Sequence, residues 1–172
     1  GVDYEAMAKR IALKAGGLSY HLAAANNTAG SRNWQKMIFQ VKALYRNVDE
    51  AVKILADILT TGDISQQDRM YDLVAERKNS LHASIVPSGH IFAKRTAAAA
   101  LSLPACRDEQ WHGRTQLGFM NRIAGTGKDG HDDLSEKLDR LRRKVFRPER
   151  LTLNMTADQE GLAILSQATA AL

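Results

Sequence analysis

Helical spacing opens the chain. Tyr4, Met7, Ile11 and Leu13 recur through DYEAMAKRIAL and predict a helix over 3–15. At Gly16-Gly17 the period changes to two: Leu18, Tyr20, Leu22 and Ala24 alternate, as on a strand over 18–25 with one buried face. The glycine pair is read as the C-cap of the helix and the hinge into the strand. A second alternating run, KMIFQVKAL, predicts a strand over 36–44, and the turn formers of NNTAGSRNW join the two as an antiparallel pair. A helix follows at once in NVDEAVKILADIL. Asn47 is its expected N-cap and Glu50 the capping-box partner, with Val48, Val52, Leu55 and Leu59 on the buried face. Thr61-Gly62 stops it.

Helical patterns then dominate. Ser65 and Asp68 open a helix carried by Met70, Leu73, Val74, Arg77, Leu81 and Ile85 up to Pro87, and Ser88 is expected to cap another, HIFAKRTAAAALSL, broken by Pro104. The alanines at 97–100 suit close helix packing. Residues 105–124 predict a short turn and a further helix, ended by GTGKDG over Gly125–Gly130. Residues 131–146 place Leu134, Leu138, Leu141 and Val145 on one helical face. After Pro148, LTLNMT (Leu151–Thr156) alternates as a third strand, and Asp158 caps a last helix through Leu172. With no internal repeat and no long linker, 1–172 reads as a single α+β domain, a small antiparallel sheet covered by several helices.

Composition narrows the function classes. The 172 residues are 44% hydrophobic and 25% charged, a soluble globular balance with enough chain for a core. The longest apolar stretch, AAAALSLPAC, falls far short of the ~20 residues of a membrane span and contains Pro104, so no membrane partner is expected. One cysteine, Cys106, excludes an internal disulfide, suits a reducing compartment, and reads as a small core hydrophobe. Gly1-Val2-Asp3 has neither Met nor a leader pattern and reads as the start of a segment from a longer protein.

The net charge of +5 gathers in EKLDRLRRKVFRPER. Basic residues there occupy the faces not packed inward and the C-terminal turn that the helix dipole favours. Arg142, Arg143 and Arg147 are the candidates for a contact surface, with a plain solvated face as the alternative. No aromatic residues are interleaved for base stacking, which disfavours nucleic acid.

No catalytic constellation is legible. His21, His82, His90, His112 and His131 fall in neither H-E-x-x-H nor H-x-x-E-H, the spacings that set two imidazoles on one helical face for zinc. His82 and His90 straddle Pro87. His131-Asp132-Asp133 sits where a helix start explains its carboxylates. His21 alternates onto the polar side of its strand. GTGKDG lacks the preceding strand and the G-K-[ST] ending of a phosphate loop, and no G-x-S-x-G elbow occurs.

Taken in order, RIALKAGGLSY, KMIFQVKALYRNVDEAVKILADIL, DISQQDRMYDLVAERK, SGHIFAKR and LTLNMTAD resemble the insulinase (pitrilysin) zinc metallopeptidases, and within them the presequence-protease subfamily. The resemblance spans nearly the whole chain. It implies a long parent protein of four homologous α+β domains closing around a chamber, with this segment similar to the third, non-catalytic domain. It implies zinc in the parent and no cofactor in this segment. The partners it implies are the other domains of the same chain and a peptide substrate. In the family's catalytic copy the inverted zinc helix precedes the element equivalent to Asp3–Ala25, and a third ligand lies near the position of Glu76. Without the two histidines, Glu76 reads as a solvated helix residue. The Arg and Tyr contributed by the family's C-terminal half belong to the next domain. No functional residue is carried over, so Gly16, Gly17, Asn47 and Glu50 are structural candidates only. Zinc-free members of the family serve as scaffold subunits of respiratory complexes, which is the alternative role, and a basic nucleic-acid module is the third. SGHIFAKR and NMTAD favour the peptidase.

Overall fold

The computed structural model describes residues 4–127 and 130–170. The order is α1 (Tyr4–Lys14), β1 (Gly17–Asn26), β2 (Asn33–Lys42), α2 (Val48–Thr60), α3 (Gln67–Ala98), α4 (Leu103–His112), α5 (Arg114–Gly125), α6 (Gly130–Val145) and α7 (Gln159–Thr169). Short 3-10 turns precede α2 (Tyr45–Asn47) and follow α6 (Pro148–Arg150). The fold class is α+β, with β1 and β2 pairing as a two-stranded sheet. The chain forms two compact units, Gly1–Ser19 with Phe39–Ile64 and Glu136–Leu172, and Tyr20–Ile38 with Ser65–Ser135.

The first unit is organised around α2. Its Val48, Ala51, Val52 and Ile54 are buried, and it packs against α1 and α7. Polar bonds lock α1 onto it. Arg10 donates from Nε and Nη2 to Glu50 Oε1 at 3.0 and 2.8 Å, and from Nη1 to Asp57 Oδ2 at 2.8 Å. These bonds raise the Arg10 pKa, Asp57 contributing most and Glu50 next. Glu50 is therefore not a capping-box partner. Asn47 does occupy the N-cap position, yet its side chain makes no cap bond. Its φ of −116° and ψ of 1° continue the 3-10 turn into α2, whereas a capping side chain needs extended backbone. At the start of α7, Asp158 Oδ1 accepts from the Gly161 amide at 2.8 Å, the cap expected from its position. Tyr45 also donates to that carboxylate, which lowers the Asp158 pKa and raises that of Tyr45. Gly161 is buried where an added Cβ would lie 2.7 Å from Ala157 Cβ and 3.0 Å from Tyr45 Cε1.

The helix-to-strand junction follows the glycine pair. The Gly16 amide donates to the Lys42 carbonyl at 2.7 Å, tying the exit of α1 to the end of β2. Gly17 has φ of +155°, outside the range comfortable for a side chain, with open space around its Cα. Gly17→Val is accordingly expected to cost about 1–3 kcal/mol through backbone strain alone, read as a lower denaturant midpoint. An unchanged midpoint would show that the junction relaxes freely.

Two expectations fail in and near the first unit. Leu151–Thr156 is extended but pairs with no strand among the described residues. Its alternating Leu151 and Leu153 are exposed, and within 151–156 Met155 alone is half-buried, meeting the Thr169 hydroxyl of α7 at 3.9 Å. Leu141 is exposed, while Leu134, Leu138 and Val145 are half-buried.

The second unit packs Val74 and Leu81 of α3 against Met120 of α5, with Met70, Leu117, Ile123, Ala124 and Leu134 around them. Here α3 continues through Pro87. Ser88, at φ −118° and ψ 20°, is not helical, so two helices meet there across a kink, at the break expected after Pro87. Pro104 begins a helix instead of breaking one: it sits in the first turn of α4, where its missing N–H costs nothing. The Ser102 hydroxyl caps that turn, accepting from the Ala105 amide at 3.3 Å. Residues 105–124 thus span two helices parted at Gly113. On β1, Leu18, Leu22 and Ala24 are half-buried but Tyr20 is 71% exposed, because a two-stranded sheet is too narrow to enclose a whole face. Asp3, Lys128 and Asp129, residues 171–172, and the side chains of His131 and Asp132 lie outside the described residues.

Candidate functional site

The C-terminal half of α6 brings the three predicted contact residues together and gives them different tasks. Arg142 donates from Nη1 to the Gly62 carbonyl at 2.6 Å and from Nη2 to Asp139 Oδ1 at 2.5 Å. Its half-buried guanidinium therefore joins α6 to the end of α2 and is not free to meet a partner. Arg143 takes the other Asp139 oxygen while staying 78% exposed. The Arg143 bond, then Arg142, outweighs desolvation and holds the Asp139 carboxyl below its usual pKa. Exposed Arg147 donates Nε to the Arg143 carbonyl at 3.3 Å, one of the last orphan acceptors of the helix. Arg140 pairs with Glu136 at 3.0 Å. Lys137, Arg140, Arg143, Lys144, Arg147 and Arg150 are the exposed cations of this stretch.

His82, Asp108, Glu109 and His112 of the second unit are engaged in structural bonds. His112 Nδ1 lies 2.8 Å from Asp108 Oδ1, and Arg95 donates Nε to Asp108 Oδ2 at 2.9 Å and Nη1 to the His112 carbonyl at 3.3 Å. Burial pushes the Asp108 pKa up, but the His112 and Arg95 bonds together bring it below the ordinary value. This cluster clamps α4 to the second half of α3. His82 Nε2 reaches Asn121 Oδ1 at 3.0 Å, bridging α3 to α5. Glu109, the buried carboxylate, caps α5: Oε1 accepts from the Thr115 amide at 3.0 Å and Oε2 from the Thr115 hydroxyl at 2.6 Å. Glu76 is exposed on α3 and Cys106 half-buried on α4. Among the described residues no group of three or more His, Cys, Asp and Glu side chains could hold a metal, so the donor set does not fit zinc. No helix among them is long and apolar enough to cross a membrane.

Sequence reasoning missed Arg10, Asp57, Asp108, Glu109 and Asp139. Asp108–His112 and Asp139–Arg143 stand at i,i+4 and carry a local signal. The Arg10–Asp57 pair spans 47 positions and leaves none.

Residues 1–123 match the family model described as Peptidase M16 (subfamily C) associated. A mitochondrial presequence protease of Danio rerio is 31% identical over 158 residues, covering 90% of this chain and 15% of its own length. Protein HypA of Clostridium perfringens is 21% identical over 92% of this chain and 16% of its own. Presequence protease 1, chloroplastic/mitochondrial, of Arabidopsis thaliana is 22% identical over 93% of this chain and 15% of its own. The chain thus spans about 15% of the length of these curated relatives. The likeness supports a non-catalytic domain of an M16 peptidase.

Proposed function

Because this chain belongs to the family of peptidase M16 (subfamily C) associated domains, we propose that residues 1–172 are one non-catalytic domain of a zinc metalloendopeptidase that degrades unstructured peptides. Its part there is architectural: it supplies wall and inter-domain contacts to a chamber whose zinc is held by another part of the parent protein. The match over 1–123 carries this reading. The internal use of Asp108, Glu109 and His112 as clamps and caps agrees with it. Exposed Arg143 and Arg147 are the contact residues of this role, and Arg142 supports them from inside.

Selection of a flexible peptide by an enclosed volume depends on the charge of the walls, through encounter and through weak ion pairs. Arg143→Glu with Arg147→Glu in the parent protein is therefore expected to change KM about threefold at low salt, fading as salt screens the pairs. Bound zinc, measured by elemental analysis, is expected to stay constant. Loss of metal would assign the domain a direct hold on the active site, and unchanged KM at every ionic strength would reduce the stretch to a solvated helix.

A further inference from the structure

We propose that the outer half of the β-hairpin binds an extended acidic stretch of polypeptide along the free edge of β2. The first observation is one of charge. Between Glu5 and Asp49 the chain carries seven cations, Lys9, Arg10, Lys14, Arg32, Lys36, Lys42 and Arg46, and no carboxylate. Five guanidiniums on the helices, those of Arg10, Arg95, Arg140, Arg142 and Arg143, each rest on a carboxylate. Nothing on the hairpin can do this for Arg32 and Lys36.

The second observation is exposure. Asn33, Trp34, Gln35, Lys36 and Met37 are exposed in succession, so both faces of this part of β2 are uncovered. Arg32, Trp34 and Lys36 share one side by the period of two. The Asn27–Arg32 and Ser19–Gln40 bonds set a register that puts Ala25 opposite Trp34 and Ala23 opposite Lys36. Small residues on β1 thus leave the Trp34 ring and the Lys36 chain standing proud, with the Lys36 ammonium 5.7 Å over the ring. The tip that carries Arg32 is held firmly. Asn27 donates its amide to the Arg32 carbonyl at 2.7 Å, its side-chain oxygen accepts the Arg32 amide at 3.1 Å, and Gly30 turns the chain at φ +69°.

The third observation concerns the main chain. β2 pairs with β1 alone among the described strands. With Arg32 facing β1, antiparallel alternation turns the backbone groups of Asn33, Gln35 and Met37 to the outer edge. An unpaired edge is a template for an added strand, and the cations beside it choose an acidic one. Nucleic acid fits less well: it cannot pair with backbone groups, and the Trp34 face that would stack a base is taken by Lys36.

The test is binding of a labelled peptide of alternating Glu and Thr to the full chain, followed by fluorescence anisotropy. Arg32→Glu with Lys36→Glu is expected to weaken it about tenfold or more, as the sum of two reversed ion pairs. Gln35→Pro removes an outward N–H without touching charge, in a place an edge strand tolerates proline, and is expected to weaken binding about threefold. Lys94→Glu, an exposed charge on α3, is the control and should stay within about twofold, with far-UV circular dichroism unchanged in all variants. Absence of binding by the unaltered chain would overturn the proposal, as would equal weakening by Lys94→Glu or full affinity in Gln35→Pro. An oligothymidylate of equal charge binding as tightly would also overturn it, in favour of a nucleic-acid surface.

Discussion

Ile54→Ala is expected to lower stability by about 2–5 kcal/mol. Ile54 is the fully enclosed side chain of the first unit, at 0% exposure, in the middle of α2 where α1 and α7 both pack. Truncation removes three carbons, worth roughly 2–3 kcal/mol of transfer free energy, and adds the cost of a cavity. Collapse of neighbours into the gap is opposed from both sides: the Arg10 bonds to Glu50 and Asp57 hold α1 at its distance, and the tight seat of Gly161 against Tyr45 and Ala157 holds α7. Chemical denaturation should show a lower midpoint with an unchanged slope. Leu55→Ala, one residue along and half-buried, should cost distinctly less. Equal losses at the two positions would mean that α2 is not enclosed as described.

Gly113→Ala is expected to cost about 1–3 kcal/mol by overpacking the corner between α4 and α5. The reason is steric rather than conformational, since φ of −104° with ψ of −157° suits any residue. An added Cβ would sit 2.6 Å from the Glu109 carbonyl oxygen and 2.9 Å from its Oε1. That carbonyl already accepts the Gly113 amide at 2.7 Å, so moving it breaks the turn that closes α4. The same displacement pulls Oε1 from the Thr115 amide and uncaps α5. Glu109→Gln separates the two effects, because its amide keeps an acceptor for the Thr115 N–H and a donor for the hydroxyl. It should lose no more than about 1 kcal/mol, the share of charge at a helix N-terminus. Comparable thermal midpoints for Gly113→Ala and the unaltered chain would show that the corner opens without cost.

What could be read beforehand was local. The switch of period at Gly16-Gly17, the paired strands, α2 with its buried Val48 and Val52, and the Asp158 cap all depend on residues within a few positions of one another. The failures have equally local causes. LTLNMT has the alternation of a strand, but a strand also needs a partner edge, which alternation does not encode. Asn47 and Glu50 have the spacing of a capping box, but an arginine 40 positions upstream competes for the carboxylate and wins with two bonds. Pro104 was ambiguous by chemistry, since the same ring that ends one helix is favoured in the first turn of the next. At the basic stretch, composition could mark Arg142, Arg143 and Arg147 as a group. It could not divide them, because the Gly62 carbonyl that draws Arg142 inward lies 80 positions away.

The kink in α3 has a consequence for how that helix breathes. Pro87 has no N–H to offer the carbonyl one turn back, and Val86 beside it is 91% exposed, so little packing compensates. The half before the break is anchored by Val74 and Leu81, and the half after it by the Arg95–Asp108 bond. Amide protons on either side are thus protected by different contacts, and the turn between them opens at a free energy well below that of either half. Solvent exchange would divide these 32 residues into two slowly exchanging stretches separated by a fast one, two cooperative elements joined at a break in the helical backbone.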